Sequence, residues 1–253
     1  MKAFDKGFSL TWLGHGAFHL VSPRGKHLLV DPWLEGNPMA PVGDVPITHV
    51  DAILVTHAHG DHYADGPALA KLNNAPLWGP AGLDDQIQAL GILPPELAPR
   101  FGKGGTITPW GADSVKITAT HAEHSSELSW VNPATNKREV HAAGEPVGFI
   151  IELENGFKIY HMGDTGLFGD MKFIGDYYKP DIVLIPIGGH FVMDPNDAAE
   201  ATRMIRPHFA IPMHYGTTPQ LAGTPEQYIA ALGKTATEVK VMQPGGTAVF
   251  DRP

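Results

Sequence analysis

Between residues 57 and 62 the chain reads His-Ala-His-Gly-Asp-His, three imidazoles and one carboxylate within six positions. Imidazole and carboxylate are the natural ligands of zinc, manganese and iron. Four such groups this close together cannot all face one small ion. They can serve two adjacent ions if the loop curls, with His57 and His59 toward one and Asp61 and His62 toward the other. Gly60 is expected to permit the tight turn this needs. A solvated polar loop would account for one of these histidines, or two. It accounts poorly for three that directly follow the apolar run Ile53-Leu54-Val55.

Other chemically competent residues also stand just beyond apolar runs. Val115-Lys116-Ile117-Thr118 leads to His121-Ala122-Glu123-His124, and Lys158-Ile159-Tyr160 leads to His161-Met162-Gly163-Asp164. Residues 181–185 lead to Gly188-Gly189-His190, and Phe209-Ala210-Ile211-Pro212 leads to Met213-His214. Ligands of α/β proteins bind beyond the carboxyl ends of strands, so these exits predict one shared site. Asp164 suits a bridge between two cations, because a carboxylate offers two oxygens and compensates charge. Alone, it would read as a turn or helix-cap aspartate, and a lone His214 would read as a satisfied core histidine. His121 and His124 compete for the remaining position, since both follow the same strand.

The elements that must hold these residues are short. Apolar runs bounded by Gly/Pro turns predict strands over 8–13, 17–21, 26–30, 50–55, 106–108, 114–119, 147–153, 157–160, 181–185, 209–211, 238–242 and 247–250. Helical spacing predicts helices over 64–72, 82–90, 168–177, 196–205 and 225–232, the fourth behind Pro195 with Asp194 as N-cap. Strands in runs broken by single helices imply sheets with helices outside them. The 253 residues fit one α/β domain or two small ones, and no linker or repeat divides them.

Composition narrows the chemistry. With no cysteine there is neither a disulfide nor a thiolate metal site. Against 27 acidic residues stand 18 basic ones, a formal charge of −9, which disfavours a nucleic-acid partner in the absence of a Lys/Arg run. No apolar stretch is long enough to span a membrane. Residues 1–7 lack an apolar signal region, so a cytoplasmic location is expected.

The His-x-His-x-Asp-His pattern, followed in order by a His, Gly163-Asp164-Thr165 and a late His, resembles the metallo-β-lactamase superfamily. The likeness is closest to a subgroup of small prokaryotic metal-dependent hydrolases related to ascorbate-6-phosphate lactonase and, more distantly, to N-acylphosphatidylethanolamine phospholipase D. Thr11-Trp12-Leu13-Gly14-His15, Leu29-Val30-Asp31-Pro32, His124-Ser125-Ser126, Phe168, Asp170-Met171, Pro186-Ile187-Gly188-Gly189-His190 and Pro212-Met213-His214-Tyr215 carry it across nearly the whole chain. The resemblance implies a four-layer αββα sandwich of the α+β class, formed by residues 1–253 as one domain. It implies one metal held by His57, His59 and His124, another by Asp61, His62 and His214, and Asp164 shared. It favours His124 over His121, because the subgroup's ligand precedes Ser-Ser. His59 stands where the superfamily's diiron flavoproteins carry a glutamate, which disfavours oxygen reduction.

The expected cofactors are two divalent ions, zinc first, with manganese or iron as alternatives. Two such ions can share a water and lower its pKa toward 7, for attack on a small lactone or phosphodiester. Asp61 is the candidate to orient the nucleophile and accept its proton. Asp31 is expected to fix a ligand imidazole from behind, and His15 and His190 to reach the substrate. Specificity is expected from loops around residues 35–44 and 126–144. An iron-dependent oxidoreductase and a non-catalytic metal sensor are the competing readings, and a homo-oligomer is compatible with the sequence.

Overall fold

Alternation along the strands sorts the apolar side chains into three cores. A computed structural model describes residues 7–41, 47 and 49–250. In its first half lie β1 (Phe8–Trp12), β2 (Phe18–Val21), β3 (His27–Val30), β4 (Ala52–Leu54), α1 (Gly60–Tyr63), α2 (Gly66–Asn73), β5 (Leu77–Trp78), α3 (Leu83–Ala89), β6 (Thr106–Ile107) and β7 (Lys116–His121). There follow β8 (Glu127–Asn132), β9 (Lys137–Ala142), β10 (Val147–Glu152), β11 (Lys158–His161), α4 (Met171–Tyr178), β12 (Ile182–Pro186), α5 (Pro195–Ile205), β13 (Phe209–Met213), α6 (Pro225–Leu232), β14 (Glu238–Val239) and β15 (Thr247–Phe250).

One sheet has the order β15-β1-β2-β3-β4-β5, and a second has β14-β13-β12-β11-β10-β7-β6. Phe8, Leu10, Trp12, Leu28, Val30 and Leu54 of the first meet Ile117, Phe149, Ile151, Leu184 and Met213 of the second in the central core. The alternate residues of the same strands face outward. Leu29 and Ile53 join Ala70, Leu83 and Ile87 of α2 and α3, while Val183, Ile185 and Ala210 join Ile174, Ala199, Ile205 and Tyr228 of α4, α5 and α6. Each large side chain so buried contributes roughly 1.5–3 kcal/mol, and a period of two feeds two cores from one strand. The result is the expected αββα layering.

The parallel pairs β3/β4/β5 and β11/β12/β13/β14 leave their carboxyl ends at the edge where the polar exits gather. Asp194 caps α5 as expected, accepting from the backbone N–H of Asn196 and Asp197.

Several expected boundaries move. The strand expected over 50–55 narrows to β4, and the helix expected over 64–72 begins at Gly66. The helix expected from 168 starts at Met171, behind Asp170 as N-cap. Gly60 makes no special turn. The chain curls there through α1, one helical turn with His59 as its extended N-cap, and such a turn asks nothing of glycine. The expected loop over 126–144 contains the antiparallel hairpin β8–β9, in which Glu127 pairs with Ala142 and Asn132 with Lys137. Of the expected loop over 35–44, residues 42–44 lie outside the described residues.

Candidate metal centre

The structure brings all seven predicted metal-competent side chains together. His57 leaves β4 fully buried. Because α1 is a single turn, it carries Asp61 and His62 round to a different side from His57 and His59. One ring nitrogen each of His57, His59 and His124 lies within 4.8 Å of the others, as do one ligand atom each of Asp61, His62 and His214 together with His15, and one each of His57, His62 and Asp164. Asp164 stands between the groups. Its Oδ2 is 3.8 Å from His57 Nε2, 3.6 Å from His124 Nε2 and 3.0 Å from His214 Nε2, and its Oδ1 is 3.2 Å from His62 Nε2.

Outer partners fix the rings. Thr56 Oγ1 donates to Asp31 Oδ2 at 2.7 Å and lies 3.0 Å from His57 Nδ1. It therefore accepts the Nδ1 proton and leaves a lone pair on Nε2. His59 turns the opposite nitrogen inward: Nε2 faces Glu127 Oε2 at 2.9 Å and Nδ1 faces His57 Nε2 at 3.1 Å. His62 presents Nδ1 to Asp31 Oδ2 at 2.8 Å, so its Nε2 points at Asp164. Asp31 thus holds the outer position expected of it, while Thr56 and Glu127 were not foreseen. Thr56 adjoins the hexapeptide, but nothing in local spacing ties Glu127 to a histidine 68 positions earlier.

A divalent cation fits what remains. His62 Nε2, His214 Nε2 and Asp164 Oδ1 are buried without a hydrogen-bond partner, and leaving such atoms unsatisfied costs about 1–3 kcal/mol each. All three aim into the space between the groups, where a cation would satisfy them. Electrostatics point the same way. Burial alone would lower the His62 pKa, but the carboxylates of Asp164 and Asp31 outweigh it and hold the pKa well above the usual range. Burial alone would raise Asp164, but His214 and His62 hold it well below. Burial and the neighbouring His62 keep His57 neutral.

His15 joins the cluster. Its Nε2 is 3.1 Å from Asp61 Oδ2 and its Nδ1 is 2.8 Å from Thr217 Oγ1. Burial, with His214 beside it, pulls its pKa down to about 4. The neutral ring donates from Nε2 to Asp61, and its Nδ1 accepts from the Thr217 hydroxyl. His190 stands apart, exposed on the turn after β12 with its ring edge-on to Phe191 at 4.4 Å. His121 also stays out: its Nε2 meets Glu123 at 3.2 Å and its ring meets Phe168 at 4.8 Å. Four strand-exit residues hold left-handed backbone, His15 (φ 53°), Asp31 (φ 47°), His190 (φ 60°) and His214 (φ 58°). Such conformations cost of order 1–3 kcal/mol and cluster at functional sites.

Two facing sheets clad in helices, with a histidine- and aspartate-lined cleft at their strand ends, are the architecture of the metallo-β-lactamase fold. A hydrolase of Ignicoccus hospitalis described as a novel metallo hydrolase superposes with a TM-score of 0.78 at 31% identity, covering 98% of this chain and 100% of that one. The family model described as beta-lactamase superfamily domain matches residues 26–215. A UPF0173 metal-dependent hydrolase of Cupriavidus necator is 59% identical over 246 residues, 95% of this chain and 85% of the relative. One from Roseiflexus sp. is 43% identical over 90% of each chain. The chain belongs to the beta-lactamase superfamily and, within it, to the UPF0173 metal-dependent hydrolase family. Among the described residues no helix is long and apolar enough to cross a membrane.

Proposed function

We propose that this protein is a metal-dependent hydrolase that opens a small ester-like bond, of the lactone or phosphodiester class, at a pair of divalent cations. His57, His59 and His124 would hold one cation and Asp61, His62 and His214 the other, with Asp164 shared. Zinc is the first expectation, ahead of manganese or iron. The observation that carries this reading is the convergence of unsatisfied buried polar atoms, His62 Nε2, His214 Nε2 and Asp164 Oδ1, on one space.

Bound cations supply Lewis acidity there, polarising the electrophile and making a water more acidic. The chain supplies orientation and a proton acceptor. Burial pushes the Asp61 pKa up, but the hydrogen bond from His15 and the nearby His62 pull it below the usual carboxylate range. Asp61 is therefore an ionised acceptor, 40% exposed toward incoming solvent. His15 is a positioning residue: it holds Oδ2 and leaves Oδ1 to receive the proton of the attacking water. His190, exposed beyond β12, is proposed to meet the leaving group.

The test is to strip the protein with chelator, reload it with Zn(II), Mn(II) or Fe(II), and assay esters, lactones, thioesters and phosphodiesters. The expected result is two metal equivalents and turnover in at least one class. Oxygen consumption with iron would turn the reading to an oxidoreductase. Full occupancy without turnover anywhere would turn it to a sensor.

A further inference from the structure

The loops that build the site carry no permanent positive charge. Residues 7–23, 27–70, 117–136, 159–171, 180–202 and 207–233 supply every side chain described there, and they contain no lysine or arginine; all 18 basic residues lie outside them. The segregation has a direction. Lys26 precedes β3, Lys116 opens β7 and Lys158 opens β11, so all three mark the ends opposite the site. A strand rise of about 3.3 Å per residue puts them on the order of 10–17 Å away.

The cations around the hairpin already have partners. Arg138 lies opposite Val131, and its guanidinium reaches along the hairpin to donate to Ser129 Oγ at 2.8 Å. Lys103 pairs with Glu145 at 2.8 Å. At the rim stand Glu123 and Glu127, with side chains 67% and 51% exposed. In the Gly189 turn the N–H groups of Gly189, Phe191 and Val192 are used internally.

We infer that the substrate is electrically neutral around its reacting bond, a lactone or carboxylic ester rather than a phosphodiester or a carboxylate-bearing ester. The inference rests on the hydrolase reading above and selects within it. Where a site recognises a phosphoryl or carboxylate group through its side chains, Arg is over-represented, because its fork matches the anion geometrically and its charge stabilises it. Here Asp61 and Asp164 already offset part of the charge that cations would bring, and Glu123 and Glu127 repel an approaching anion. For a lactone the reaction balances without further reagents. The water oxygen bonds to the carbonyl carbon, the ring C–O bond breaks, and a proton ends on the released alcohol oxygen. The hydroxy acid then ionises to a carboxylate that no cationic side chain retains.

The test uses two isosteric rings, 5-oxotetrahydrofuran-2-carboxamide and 5-oxotetrahydrofuran-2-carboxylate, with bis(p-nitrophenyl) phosphate as a third substrate. With the metal-loaded protein, kcat/KM is expected to be at least about tenfold higher for the carboxamide than for the carboxylate, and phosphodiester turnover to stay below about one hundredth of the carboxamide value. Saturation-transfer NMR on the metal-free protein is expected to show the carboxamide bound in preference to the carboxylate. Equal or better use of the carboxylate ring, or faster phosphodiester cleavage, overturns the inference and leaves the hydrolase intact. No turnover of any of the three overturns the inference, and silence across the wider panel above overturns the hydrolase reading as well.

Discussion

Asp31 Oδ2 lies 2.8 Å from His62 Nδ1, and both side chains are shut off from solvent. Asp31 also accepts from Thr56, at the backbone N–H through Oδ1 and at the hydroxyl through Oδ2, both at 2.7 Å. One carboxylate thereby fixes the ring of His62 and, through Thr56, the tautomer of His57. Asp31→Asn keeps a side chain tolerated at φ 47° but removes the charge and one acceptor. Metal affinity, measured by competition with a chromogenic chelator, is expected to fall 10- to 100-fold. Unchanged affinity would mean that Asp31 serves the fold alone.

Asp164 is the residue on which both groups depend. Its oxygens lie 3.0–3.8 Å from His57, His62, His124 and His214. Asp164→Ala is expected to lose metal as well as activity, with less than one tightly held equivalent by elemental analysis. Two tightly held metals in this variant would remove Asp164 from the bridge.

His121 and His124 separate by burial and by company. The His124 side chain is 14% exposed and faces Asp164, whereas that of His121 is 43% exposed and faces Glu123. His124→Ala is expected to cost far more metal than His121→Ala, which should stay within a few-fold of the parent in affinity. The reverse ranking would exchange their roles.

How far these relationships were legible in the sequence depends on their span. The hexapeptide, Asp164 and His214 stand directly after apolar runs, so local pattern was enough to nominate them. Asp31 was visible for the same reason. The contacts of His15 with Asp61 and Thr217 join residues 46 and 202 positions apart, and His59 meets Glu127 across 68. Only the folded chain creates such pairs. The hairpin β8–β9 left a readable trace, Leu128 and Trp130 alternating with polar residues before Asn132-Pro133-Ala134-Thr135-Asn136. Its outward face is exposed along its length, so it lacks the apolar run by which the other strands were found. The left-handed backbone at His15, Asp31, His190 and His214 gave only a weak signal: histidine and aspartate are enriched there, but far less decisively than glycine.

Gly16 sets the distance between β1 and the buried ring of His62. A Cβ there would fall 2.8 Å from His62 Cε1 and 3.1 Å from Nδ1, and Asp31 leaves the ring no room to retreat. Gly16→Ala is expected to destabilise by about 1–3 kcal/mol, the usual cost of overpacking, and to weaken metal binding by displacing His62 Nε2. Urea denaturation of the metal-free protein reads the first effect and chelator competition the second. A variant with parental values in both would show that the ring is free to move.

Away from the metal centre, a second histidine pair gives stability a pH dependence of its own. His19 Nε2 lies 3.1 Å from His27 Nδ1, and burial, followed by the charge His27 can carry, lowers the His19 pKa from 6.5 to about 4. The charged groups packed nearby are Lys26, His49 and Asp51. Asp51 already takes Lys26 at 2.9 Å and His49 at 3.4 Å, and it accepts from the backbone N–H of His27, so it does not compensate a proton on His19. Below pH 6.5 the unfolded chain binds a proton that the native chain refuses until about pH 4. The unfolded state then holds more protons, and stability falls as pH falls through that window. His19→Gln retains a polar partner for His27 without the titration. Its stability is expected to drop less than the parent's between pH 7.5 and 4.5, by about 1–2 kcal/mol after allowing for residual solvent contact. Acid loss at the metal centre is common to both proteins and cancels in the difference. Thermal or urea unfolding at a series of pH values reads it directly, and parallel curves would show that His19 takes up its proton equally in both states.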